Sequence, residues 1–285
     1  MTEGCRKSGF AVPFFVSKRM EEDNYLKLFK TKKNEKPTAL VFVDFEYMQI
    51  SFKKRYGIQP PILDWYKSLC AEYDVRELYV FADFSNEAMK RNLPVLRQIT
   101  DNIIETQNTA SRHKKDFTDF FLLDRIYQKA FENNGATTYI LFTGDGHFGA
   151  VSRFLICHCK KDVVINGVEG NISGTLKSQV TRVVEYPGAD RVKELYYPYI
   201  ARQIKDLTTG RHAQRMLTPG RLSAACIEHQ KLHADILEEA MTAMLNEGYL
   251  VYKEVWVSSL KRTRVLTCDF EKMKADGYYH ADTKE

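Results

Sequence analysis

Residues 138–148 read Thr-Tyr-Ile-Leu-Phe-Thr-Gly-Asp-Gly-His-Phe, and this stretch decides the fold class. A short, β-rich apolar run that stops at Thr-Gly-Asp-Gly reads as a buried parallel strand feeding a tight turn, with a helical apolar pattern resuming from Phe148 through Leu155. Asp145 then falls just past the carboxyl end of a strand, where open α/β sheets leave a crevice for ligands. Two other runs repeat the pattern: Ala39 to Val43 ends at Asp44, and Leu78 to Ala82 ends at Asp83. If these strands are parallel neighbours, their carboxylates converge, and crowded carboxylates require a shared proton or a divalent cation held through oxygen. A single Asp after a strand ordinarily begins a turn or caps a helix. Asp44 and Asp145 are therefore informative as a pair and not singly.

Working outward, strands are expected at 38–44, 77–82, 102–106, 138–143, 162–165 and 183–185. The helices between them are a segment after Pro60-Pro61 with Ile62, Trp65, Leu69 and Tyr73 at helical spacing, then 86–99, 117–131, 147–157 and 173–180. The alternation predicts an α/β fold built on a doubly wound, mainly parallel sheet over residues 37–187. The helix from Phe117 carries Asp116 and Asp119 at its start, positions that suit an N-cap and a carboxylate favoured by the helix dipole.

Past Pro187-Gly188 the pattern changes. Helices around 192–207, 218–229 and 232–247 precede two strands, 249–257 and 264–268, joined by Ser258-Ser259-Leu260-Lys261-Arg262-Thr263. Three helices and a hairpin with a basic tip have the layout of a winged helix, so residues 188–285 are expected to form a smaller winged-helix-like α+β domain. A helical cap that only dimerises, for instance through the apolar face of 232–247, or that covers the sheet is the plainer alternative.

Residues 1–36 are a leader with nine Lys/Arg against five Asp/Glu, while residues 37–187 hold eighteen of each. Nucleic-acid affinity must therefore come from local patches and not from a uniformly basic fold. The leader contains Phe10-Ala11-Val12-Pro13-Phe14-Phe15-Val16, aromatic enough that residues 9–16 are expected to pack on the body, on another copy or on a protein partner. That run is short and broken by Pro13, a poor signal peptide, and no segment reads as a membrane span. The six cysteines, at 5, 70, 157, 159, 226 and 268, have no CxxC spacing. Reduced, mostly buried thiols in a cytoplasmic protein are expected, without structural zinc.

Val43-Asp44-Phe45-Glu46, the Lys-rich approach to Asp119 and Thr143-Gly144-Asp145-Gly146-His147-Phe148 together resemble the NYN domain, a branch of the PIN-like nuclease fold. The resemblance covers roughly residues 37–187, and the separation of Asp119 from Asp145 favours Asp119 over Asp116 as the carboxylate on the helix. It implies a metal-dependent endoribonuclease in which Asp44, Asp119 and Asp145 hold Mg²⁺ or Mn²⁺ and cleave RNA. Glu46, Asp83 and His147 are candidates for supporting or proton-transfer roles. Lys53, Lys54 and Arg55, and Arg112, Lys114 and Lys115, are candidate guides for RNA. Lys261, Arg262 and Arg264 would bring RNA, or DNA, to the C-terminal domain. This chain departs from the family at two positions: Tyr47 stands where Asn is usual, and His147 where a second Asp is usual. Tyr47 cannot supply an amide carbonyl, and an imidazole at 147 suits Mn²⁺ better than Mg²⁺. The alternative is a degenerate NYN protein that binds nucleic acid or recruits partners without cleavage.

Overall fold

The computed structural model describes residues 36–106, 117–209, 216–258 and 261–279. The expectations placed on residues 9–16, on Asp116 and on Arg112, Lys114 and Lys115 lie outside the described residues. In chain order the first elements are β1 (Thr38–Asp44), α1 (Phe45–Tyr56), α2 (Ile62–Glu72), β2 (Asp74–Ala82), α3 (Glu87–Lys90), α4 (Leu93–Leu96) and β3 (Ile103–Glu105). They continue with α5 (Thr118–Phe131), β4 (Thr138–Phe142), a 3₁₀ turn at Gly146–Phe148, α6 (Gly149–Cys157), β5 (Asp162–Gly167), α7 (Gly174–Lys177) and β6 (Arg182–Glu185). The six strands form one sheet in the order β3-β2-β1-β4-β5-β6, and every neighbouring pair is parallel.

Both faces of this sheet are covered, which is why its strands read as unbroken apolar runs. Along β1, Ala39, Val41 and Val43 enter the core on one face with Trp65 and Phe52. Leu40 and Phe42 enter the opposite core with Leu122, Ile126 and Leu155 from α5 and α6. Phe42 is stacked between Tyr79 and Tyr139, with centroids 5.5 and 5.9 Å away, so the three central strands are locked in register by their side chains as well as by backbone bonds. The strand order reverses between β1 and β4. Asp44 ends the first of these and Asp145 follows the second, so both stand at the topological switch point.

Several local expectations change. A helix, α1, begins directly at Asp44, whose side chain caps it, and ends at Gly57 in the left-handed region at φ 70°. Phe45, Met48, Phe52 and Tyr56 mark its buried face, a helical period hidden in the sequence by the interleaved polar residues. The single helix expected at 86–99 is two short helices, because Pro94 cannot donate the backbone bond that would fuse them. The described cysteines are all free thiols, but Cys226 is buried while Cys157 is exposed, so burial of the thiols is less general than expected.

The remaining elements are 3₁₀ turns at Ala189–Arg191 and Lys193–Tyr196, α8 (Tyr197–Thr208), α9 (Pro219–Gln230), α10 (Ala234–Asn246), β7 (Leu250–Ser258), β8 (Lys261–Cys268) and α11 (Phe270–Ala275). β7 and β8 pair antiparallel down to Ser258 opposite Lys261. The strands therefore extend into the six-residue loop expected, and Lys261, Arg262 and Arg264 sit on a strand. Thr218 caps α9, as its Thr-Pro start suggested. The apolar face of α10 is not available for assembly: Leu237, Ala240, Met241 and Met244 are buried in a core continuous with that of the sheet. The join is polar as well as apolar. The Tyr196 phenol donates to the Tyr56 carbonyl at 2.6 Å and accepts the His233 N–H at 3.1 Å. The described residues from Pro37 onward accordingly form one compact unit. Among the described residues no helix is long and apolar enough to cross a membrane.

Candidate metal centre

The sequence from β4 into α6 builds one wall of the site. Thr143 is buried, and its hydroxyl accepts the Asp145 N–H at 3.3 Å. The Asp145 carboxylate accepts the His147 N–H at 2.9 Å, capping the 3₁₀ turn, and the same oxygen lies 3.2 Å from His147 Nδ1. Gly144 is required by close approach: a Cβ there would meet the Asn171 carbonyl and come within 2.6 Å of the Tyr47 ring. Asp119 arrives from the other side, in the first turn of α5, where the helix dipole favours a carboxylate.

One ligand atom each from Asp119, Asp145 and His147 can be chosen so that all lie within 4.8 Å of one another. Among the described residues Asp44 belongs to no cluster of that spacing. It is buried, and its side chain accepts the Tyr47 N–H at 2.9 Å as the cap of α1. The trio expected from the sequence is thus brought to one sheet edge, but the tight group contains His147 in place of Asp44. His147 is 83% exposed and the Asp145 side chain 42%, an open arrangement that a substrate can approach. Two carboxylates and an imidazole form a donor set suited to Mn²⁺ or another first-row ion and less to Mg²⁺, which prefers oxygen alone.

Glu46 braces this group. Its carboxylate accepts the Asp83 N–H at 2.7 Å and the Thr118 hydroxyl at 3.2 Å, and Thr118 in turn shares a 2.8 Å bond with Thr106. The first turn of α1, the end of β2 and the start of α5 are tied through one side chain immediately beside Asp119. Asp83 does not turn toward the cluster in this network. Its carboxylate accepts the Ser85 N–H at 3.0 Å, also bonding the Ser85 hydroxyl, the ordinary chemistry of a turn after a strand.

Tyr47 fills the crevice at the switch point. Its phenol accepts the Val168 N–H at 3.1 Å and donates to the Asn171 carbonyl at 3.2 Å, pinning the loop after β5. Burial pushes its pKa up to about 12, so it is a neutral anchor at ordinary pH.

The cationic candidates fare unequally. Lys53, Lys54 and Arg55 occupy the last turn of α1, where they complement the helix dipole. At 1.5 Å per residue this turn lies roughly 13–17 Å along the helix from Asp44. Lys53 donates to the Gly57 carbonyl at 3.1 Å and Arg55 pairs with Glu169 at 3.3 Å, so these residues finish a helix and do not line the cluster.

On the hairpin, Arg262 lies 4.2 Å over the Trp256 ring, and Arg262 and Arg264 flank Glu254 at 3.5 and 3.8 Å. Trp256 is 61% exposed and Tyr252 is also exposed. Tyr252, Glu254 and Trp256 share one side of β7 by their alternation, giving an aromatic and cationic face that a search for charges alone overlooks. The strand alternation around Trp256 was the available signal.

No family model matches this chain, and no curated protein does. Among solved structures, one of a protein of unknown function from Vibrio parahaemolyticus RIMD 2210633 is similar with a TM-score of 0.49 at 18% identity, over 54% of this chain and 96% of that one.

Proposed function

We propose that this protein is a metal-dependent endoribonuclease of NYN type, with Asp119, Asp145 and His147 holding a divalent cation and Asp44 completing the acidic edge. The observation that carries the reading is the convergence of those three side chains within 4.8 Å, at the switch point of a parallel sheet. A bound cation of this kind lowers the pKa of water and offsets charge building on a phosphate. The protein's own part is placement: Asp145 is fixed by its turn, Asp119 by its helix start, and Glu46 ties α1 and the end of β2 to that helix start. Mn²⁺ is the favoured ion because His147 contributes nitrogen.

The test is a titration of the full chain with Mn²⁺ and Mg²⁺, read both as melting temperature and as cleavage of a labelled RNA. Mn²⁺ is expected to raise the melting temperature and support cleavage at lower concentration than Mg²⁺. His147→Ala should weaken the Mn²⁺ response by at least about tenfold, and His147→Asp should move the preference toward Mg²⁺. An absence of any thermal response to either ion would overturn the metal reading. Metal binding without cleavage would favour the second reading, a degenerate member that holds nucleic acid without cutting it. One observation favours that alternative: the Tyr47 ring occupies the crevice where the family carries an amide.

The C-terminal hairpin fits a nucleic-acid contact in either reading, as the wing of a winged-helix-like module. Aromatic stacking tolerates any base, while arginines contact phosphate and release counterions. Replacing Lys261, Arg262 and Arg264 with Ala is expected to weaken RNA or DNA binding and to flatten the log-log salt slope by up to about one unit for each phosphate no longer neutralised. Trp256→Ala should weaken binding by roughly tenfold or more at every salt concentration, since stacking is worth about 1–3 kcal/mol per base. Filter binding at several salt concentrations separates these effects, and unchanged affinity in both variants would remove the hairpin from the interface.

A further inference from the structure

The outer face of α5 has no role in the site just described and carries the most exposed large apolar residue of the described chain. Phe131 is 80% exposed, Phe120 67%, Phe121 44% and Tyr127 37%. Leu122 and Ile126 bury the opposite face of the same helix against the sheet, so these rings lie on its outer side, with Tyr127 and Phe131 each in contact with the Phe154 ring of α6 at 5.1 and 6.1 Å. Taking about 200 Å² for a whole ring, they leave roughly 450 Å² of aromatic surface in water, as much as the largest patch on a typical monomer. The pattern is also ordered. Phe120, Asp124, Tyr127 and Phe131 are spaced by four, three and four residues, the seam of a helix that pairs with another helix.

Among the described residues the cations beside this seam are already engaged, which disfavours nucleic acid there. Arg125 lies 5.2 Å over the Tyr79 ring, and Lys129 is held between Glu77 at 3.0 Å and Glu132 at 2.7 Å. A second copy fits well. In an antiparallel pairing about a two-fold axis, such a seam sets Phe120 opposite Phe131 of the other copy, and Asp124 opposite Tyr127. The single charge on the seam thereby meets a phenol donor, twice by symmetry. Asp124 is exposed and accepts a bond from the Gln128 amide at 2.8 Å, which leaves acceptor capacity on the carboxylate. The two patches together supply about 900 Å², and the neighbouring Phe154 ring of α6, 5.1 Å from Tyr127, widens the surface toward the roughly 1,200 Å² of the smaller stable interfaces.

We propose that α5 is the self-association surface of this protein, forming an antiparallel α5–α5 pair between two copies. This pairing uses none of the side chains placed in the metal centre. Light scattering and sedimentation of the full chain over a range from about 1 to 100 µM, a span that covers micromolar affinities, test it. The unaltered chain is expected to approach twice its monomer mass. Phe131→Glu should raise the dimer dissociation constant roughly thirtyfold or more, since it removes an aromatic anchor at both ends of the seam and sets a charge against Phe120 of the other copy. Its melting curve at low concentration should be unchanged, because the ring it removes is exposed. Phe120→Lys should do the same, and the double variant Phe120→Lys/Phe131→Glu should regain association, since each new lysine then faces a glutamate on the other copy. A monomer throughout the range, or a dimer indifferent to Phe131→Glu, would overturn the proposal. So would a double variant that stays monomeric, which would exclude the antiparallel register.

Discussion

Asp145→Asn is expected to reduce metal-dependent RNA cleavage by at least about a hundredfold, in line with losing a group that holds the charge-stabilising element of such a site, and to abolish the Mn²⁺-induced rise in melting temperature. The substitution is informative because it separates two jobs of one side chain. As a cap, Asp145 accepts the His147 N–H at 2.9 Å, and Asn caps about as well as Asp. As a ligand, it contributes the negative charge that an amide lacks. The metal-free stability should therefore stay within about 1 kcal/mol of the parent, and removing one of two neighbouring carboxylates relieves repulsion. Calorimetry with and without Mn²⁺, beside a cleavage assay, measures both. A variant that keeps its thermal response to Mn²⁺ would place the ion elsewhere.

The second large effect falls on stability. Tyr47→Asn is expected to destabilise the fold by about 3 kcal/mol, or roughly 6–12 °C in melting temperature for a unit of this size. The substitution removes a ring packed beside Gly144 and Gly167. It also leaves the Val168 N–H and the Asn171 carbonyl without the phenol that now bridges them at 3.1 and 3.2 Å. Family resemblance alone points the other way, to Asn as the residue that completes a catalytic site. The geometry makes Tyr47 the post on which the loop after β5 rests, so any gain in chemistry from Asn has to overcome the loss of that support. Tyr47→Phe separates the contributions, retaining the ring and losing about 1–2 kcal/mol for the bonds. Equal melting temperatures for all three proteins would show that the phenol anchors nothing.

The strand at 138–142 and its companions were legible along the chain because a strand covered on both faces must be apolar at consecutive positions, a local signature independent of any partner. The ends of those strands were legible for the same reason: Asp44 and Asp145 interrupt apolar runs. Helix α1 was harder, since Glu46, Gln49 and Lys53 interrupt its apolar period of Phe45, Met48, Phe52 and Tyr56. The cap at Asp44 and the stop at Gly57 were its clearest marks.

What the sequence determined by itself was the composition of layers: apolar runs alternating with helical periods, each of the central runs closed by a carboxylate, in a chain whose length suffices to cover a sheet on both sides. Only the tertiary structure decided which of those carboxylates meet. Parallel pairing of β1 with β4 places Asp44 and Asp145 at one edge; the Asp44 side chain caps α1, while the turn after Gly144 brings His147 onto Asp145. The docking of α5, fastened through Thr118 to Glu46 seventy-two positions earlier in the chain, brings Asp119 into the same group. Side-chain direction at a strand end depends on one or two backbone angles and on which neighbour claims each oxygen. Those choices belong to packed surroundings, and no spacing along the chain carries them.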